Sequence, residues 1–65
     1  MHTVRVTFPD GTTMVEVVDA PNQRDAHKLA QEWATAEATS GRESEPRPGT
    51  TSEIVRRGGT IMSRQ

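Results

Sequence analysis

The chain has no cysteine and no tyrosine, and only one tryptophan, one phenylalanine and two histidines among its 65 residues. Without cysteine there is neither a disulfide nor a thiolate metal site. The histidines, His2 and His27, stand too far apart to suggest a structural metal centre, so no cofactor and no metal is expected. No apolar run approaches the ~18 residues of a membrane span. The opening Met-His-Thr-Val-Arg lacks the apolar stretch of a secretion signal, which leaves a cytoplasmic setting as the expectation. Lysine is nearly missing: of the 8 basic residues only Lys28 is not arginine. Such a bias fits a GC-rich coding genome, and with the short length it suggests a phage or mobile-element product.

A chain this short hides only about 60% of its unfolded surface on folding. Domains of that size usually need a staple. With disulfide and metal excluded, the remaining supplement is a second copy (a homodimer) or a host or phage protein, and a marginally stable monomer is the alternative. Net charge is −1, which argues against a protein whose main task is to grip polyphosphate. The distribution is uneven. Residues 1–21 set Arg5 against Asp10, Glu16 and Asp19, whereas residues 53–65 set Arg56, Arg57 and Arg64 against Glu53 alone. Only the tail is basic.

What is there reads as one small α+β domain over 1–65. Thr3-Val4-Arg5-Val6-Thr7-Phe8 alternates with period two, and Pro9-Asp10-Gly11 is a turn in which proline presets φ and glycine takes a positive φ. A β-hairpin over 2–18 follows. Pairing Phe8 with Thr12 would put Val4 opposite Glu16 on the buried face. Pairing Phe8 with Thr13 matches Val6 with Val15 and Val4 with Val17, and sets Arg5 against Glu16 on the other side. The apolar match favours the second register. It turns Met14 and Val18 to the other face, as a candidate sheet-face interface.

A helix is expected over 22–39, with Asn22 as N-cap and Asp25 at N3. Ala26, Leu29, Ala30, Trp33 and Ala36 form its apolar stripe, with Arg24, Lys28, Gln31 and Thr35 opposite. Trp33 is thereby expected in the core, where its truncation to alanine would cost about 3–5 kcal/mol. Gly41 suits the C′ position. Residues 41–52 contain no apolar side chain beyond two prolines and are expected to form a flexible loop. Residues 53–64 hold two short β-like runs around Gly58-Gly59, a strand or a hairpin pairing Arg57 with Thr60. The fold class is thus two-layer α+β, ββαβ or ββαββ: a hairpin packed on one helix, then one or two short C-terminal strands.

Catalysis is not expected, because neither histidine has a nucleophile at a recognisable spacing and each aspartate has a turn, strand-end or cap role. His2 is expected at a frayed strand start and His27 in solvent. Gly58-Gly59 lacks the lysine and the strand-to-helix context of a nucleotide loop. Arg56, Arg57, Gly58, Gly59 and Arg64 could form a basic ribbon for a nucleic acid or another partner. With few tail arginines and no stacking aromatics there, protein–protein binding is the favoured function and a DNA-binding regulator the alternative.

Val4 to Phe8, the turn, Val15-Glu16-Val17 and the helix resemble the first half of a ubiquitin-like β-grasp domain, and Arg57-Gly58-Gly59 is similar to a carrier's Gly-Gly terminus. That resemblance implies a ubiquitin-like module as a further alternative. Strand, turn, strand and a Trp-bearing helix also resemble the arm-type DNA-binding domains of tyrosine recombinases. The sheet followed by an Ala/Leu helix is similar to antitoxin domains of the HicB type. Each resemblance covers about half of the chain and rests on pattern, and none assigns a family.

Overall fold

The computed structural model describes residues 1–57 and 60–61. Its element order is β1 (His2–Thr7), β2 (Thr13–Val18), α1 (Gln23–Ala38), β3 (Thr51–Arg57) and the two-residue β4 (Thr60–Ile61). The strands form one antiparallel sheet in the order β2-β1-β3-β4, with the helix across one face. This is the expected two-layer α+β arrangement, in the ββαββ form of the two, ββαβ and ββαββ, that the sequence patterning leaves open.

The turn decides the register. The Phe8 carbonyl accepts from the Gly11 N–H at 2.9 Å, and the Phe8 N–H donates to the Thr12 carbonyl at 2.8 Å. Gly11 has φ +93°, so Pro9-Asp10-Gly11 is a three-residue loop closed by a left-handed glycine. Asp10 clamps it by accepting from the Thr12 N–H at 3.0 Å and from its hydroxyl at 2.7 Å. These two bonds hold the Asp10 carboxyl below its ordinary value of 3.8. Pairing therefore runs Val6 with Met14, Val4 with Glu16 and His2 with Val18.

The expected register, with Val6 on Val15, is corrected by one residue. A slip of one residue exchanges the faces of β2. Met14 and Val18 lie under the helix, Val18 with no exposed surface, so they are not the open sheet face. That face is carried by Val15 and Val17, which are 59% and 54% exposed. Arg5 lies opposite Val15 on one side and Glu53 on the other, and its ion pair is to Glu53 at 3.0 Å, not to Glu16.

The helix begins as expected. The Asp25 N–H donates to the Asn22 side-chain oxygen at 2.9 Å. Its buried residues are Ala26, Ala30, Ala34 and Thr35, so Ala26 and Ala30 are buried as expected, while Ala34 and Thr35 take the places expected for Trp33 and Ala36. Thr35 is buried where solvent was expected, and its hydroxyl donates to the Gln31 carbonyl at 2.8 Å. Trp33 is 48% exposed and is not core. The physical reason is size: alanines let the helix approach closely enough to seal Val4, Val6 and Val18, and a tryptophan there would hold the layers apart. Phe8, Met14, Leu29 and Ile54 close the margins.

At the helix end Ser40, not Gly41, takes the left-handed C′ position, with φ +55°. The Ser40 N–H donates to the Glu37 carbonyl at 3.3 Å and the Gly41 N–H to the Ala36 carbonyl at 2.6 Å, a Schellman closure. Within 41–52 the Glu43–Arg47 ion pair, the Glu43 N–H bonded to the Thr39 hydroxyl, and Gly49 against Pro9 fold the connection back over the hairpin turn. β3 starts at Thr51, inside the stretch assigned to the loop. It carries a bulge opposite Thr3/Val4.

Candidate functional site

Among the described residues β2 is an edge strand, with β1 on one side and no strand on the other. Antiparallel ladders alternate bonded and non-bonded pairs. The Phe8–Thr12 bond fixes the phase, making Val6/Met14, Val4/Glu16 and His2/Val18 the bonded pairs. The N–H and C=O groups of Thr13, Val15 and Val17 consequently point away from β1, toward the open edge. Natural edges are commonly blunted by proline, lysine, a bulge or an inward-pointing charge. Thr13–Val18 contains no proline and no lysine and its pairing with β1 is unbroken, so of these devices it carries the inward charge alone, Glu16.

Two features flank this edge on the helix side. Glu16 projects inward from β2, opposite Val4, and is half-buried. Burial first, then the charge and hydrogen-bonding contact of the Glu37 carboxylate, raise its pKa above the ordinary 4.5. Trp33 precedes Glu37 by one helical turn and so shares its face. The margin of the molecule along β2 thus combines unpaired backbone, exposed Val15 and Val17, an acidic pair and a half-exposed indole.

An open cleft of about 460 Å³ adjoins the Thr13 end of this edge, between the hairpin turn and the end of α1. Phe8, Met14 and Ala38 line it, with Asp10, Arg42 and Arg47 on its rim. Arg47 is engaged with Glu43 at 3.2 Å, and the Arg42 Nε donates to the Thr39 carbonyl at 3.0 Å. These bonds leave the rim without a converging set of free polar groups.

His27 is not in solvent. Its Nδ1 lies 2.6 Å from the Ser52 hydroxyl, which also accepts from the Gln31 amide at 2.7 Å. The sequence shows no sign of this contact, since Ser52 falls in the presumed loop. A Ser–His pair is chemically suggestive. Here the hydroxyl is shared between two helix side chains, and neither His27 nor Ser52 lines the cleft just described. The cluster ties β3 to α1. His2 is buried at 5% exposure instead of frayed, and its Nδ1 has no hydrogen-bond partner among the described residues.

Of the basic set, Arg56 is exposed on β3 and pairs with Ile61, and Arg57 pairs with Thr60 as expected. Gly58, Gly59 and Arg64 lie outside the described residues. Among the described residues there is no cluster of His, Cys, Asp and Glu suited to a metal ion, and no helix long and apolar enough to cross a membrane. No family model matches the chain, and no curated protein or solved structure matches it either.

Proposed function

We propose that this protein is a small, non-enzymatic accessory protein that works in the cytoplasm by binding another protein, and that the β2 edge is where it binds. The observation that carries the reading is the free edge itself. Its outward backbone groups belong to the same residues, Val15 and Val17, that expose apolar side chains. An extended segment added there would satisfy the backbone and cover the valines in one step, the mode called strand addition. The shallow core supports the same view, because among the described residues Val4, Val6 and Val18 are the largest fully buried side chains. A chain of this size gains much from a partner. The arginine-for-lysine bias fits a mobile-element product from a GC-rich genome.

Binding to duplex DNA through Arg56 and Arg57 is the competing reading, favoured by the paired β3–β4 ribbon that carries them. A photo-crosslinking residue placed at Val15 separates the two in cells that make the protein. Protein adducts from position 15, and none from the same group at Arg24 on the outer helix, are expected. Adducts to DNA from position 56, with none to protein from position 15, would overturn the reading.

A further inference from the structure

The edge has chemistry beyond its backbone, and this narrows what can occupy it. An added strand would present alternate side chains to the two sides of the sheet. One row would lie beside Val15 and Val17 on the open face, and the other beside Glu16 on the helix side. There it would meet Glu37 from α1, and Trp33 one turn away. Resting on the strand-addition reading above, we infer that the occupant is a basic amphipathic strand: apolar residues alternating with arginine or lysine, the cations seated between the Glu16 and Glu37 carboxylates and against the Trp33 indole.

The charged group acting on Glu16 from the helix is Glu37, while β1 places the neutral Val4 opposite it. Two carboxylates at close range repel, and an approaching cation relieves that repulsion while gaining attraction to both. An exposed indole face adds cation–π attraction, strongest for tryptophan and most often used with arginine. The half-buried position of Glu16 reduces screening, so the pairing is worth more than it would be on an open surface.

A second copy of this chain is the natural rival occupant, and the same residues disfavour it. Antiparallel self-pairing of β2 about Val15 is the register that joins outward-facing groups of Thr13, Val15 and Val17. It would set Met14 beside the other copy's Glu16 and bring both acidic pairs to one seam. Like charges at a shared seam cost affinity and suppress the wrong partner. Acidic strands are disfavoured on the same ground.

The test is a titration of the full chain with a short peptide alternating valine and lysine, followed by Trp33 fluorescence and by the amide signals of Thr13, Val15 and Val17. Matched peptides carrying serine or glutamate in place of lysine serve as comparisons. Binding in the order lysine, serine, glutamate is expected, with the lysine peptide about tenfold weaker on a Glu16→Gln/Glu37→Gln double variant. The lysine peptide should also weaken as pH falls and Glu16 takes up a proton. Removing like-charge repulsion should not unfold the double variant, and its retained thermal transition checks this.

Equal binding of all three peptides, blocked by Val15→Pro, would keep strand addition and overturn the basic-strand inference. Binding of no peptide, with Val15→Pro silent, would overturn both. Concentration-dependent dimers in sedimentation, abolished by Val15→Pro, would overturn the inference in favour of the second copy.

Discussion

On the covered face of the sheet Val4, Val6 and Val18 lose all contact with solvent, while on the open face Val15 and Val17 keep more than half of theirs. The residue type is the same, and β2 contributes to both sets. What differs is the partner: a helix stripe of Ala26, Ala30 and Ala34 on one side, and nothing among the described residues on the other. Burial, and not identity, therefore assigns stability to the first set and leaves the second exposed. Full burial of a valine stabilises by about 1.5–3 kcal/mol, whereas an exposed one contributes little.

The sharpest way to break that comparison is to put the same charge on each face. Val6→Asp should unfold the protein, costing about 4 kcal/mol or more, because an unpaired carboxylate would be sealed under the helix. Val17→Asp should shift stability by less than about 1 kcal/mol. Thermal or urea unfolding of both variants reads the difference, and near-equal effects would mean that the faces are misassigned.

A smaller effect is expected where α1 ends. Ser40 sits at φ +55°, a conformation costly for a residue with a Cβ. Ser40→Gly should stabilise by about 1 kcal/mol, offset in part by the greater freedom of glycine in the unfolded chain. A loss of stability would show that the serine side chain has a role beyond its backbone.

The smallest effect belongs to Glu16, where the two faces meet at the edge. Its folded-state pKa is raised by burial and by Glu37, so the folded protein holds this proton more tightly than the unfolded chain does. That stabilising contribution is fully present below the ordinary value of 4.5 and is lost as pH rises through the folded value. Glu16→Gln should therefore be more stable than the parent at neutral pH, with the gap closing in acid. Urea midpoints measured across pH check the sign, and a gap that widens in acid would reverse it.

Much of the fold was legible because it rests on local chemistry. Asn22 with Asp25 marks a helix start, Pro9-Asp10-Gly11 marks a turn, and the alternation around Val4 marks a strand. The register was not, because β2 is Thr-Met-Val-Glu-Val-Val and offers valines to either face. Matching valine to valine sets aside the Phe8–Thr12 pairing, which is the three-residue loop that a left-handed glycine builds, and turn geometry outranks side-chain preference there. The misplaced Trp33 has the same origin: a large apolar residue was assumed to fill a gap that the alanines had already closed. The β2 margin could have been found by taking the turn first. The His27–Ser52 contact could not, since it joins residues of separate elements whose relative placement depends on that register.

Amide hydrogen exchange along residues 13–18 decides whether β2 is a free edge with Val15 and Val17 outward. Alternation is expected: slow exchange at Met14, Glu16 and Val18, whose groups bond β1, and fast exchange at Thr13, Val15 and Val17. Fast exchange at Met14 and Glu16 with protection at Val15 and Val17 would contradict the register, and uniform protection of the isolated protein would contradict the free edge.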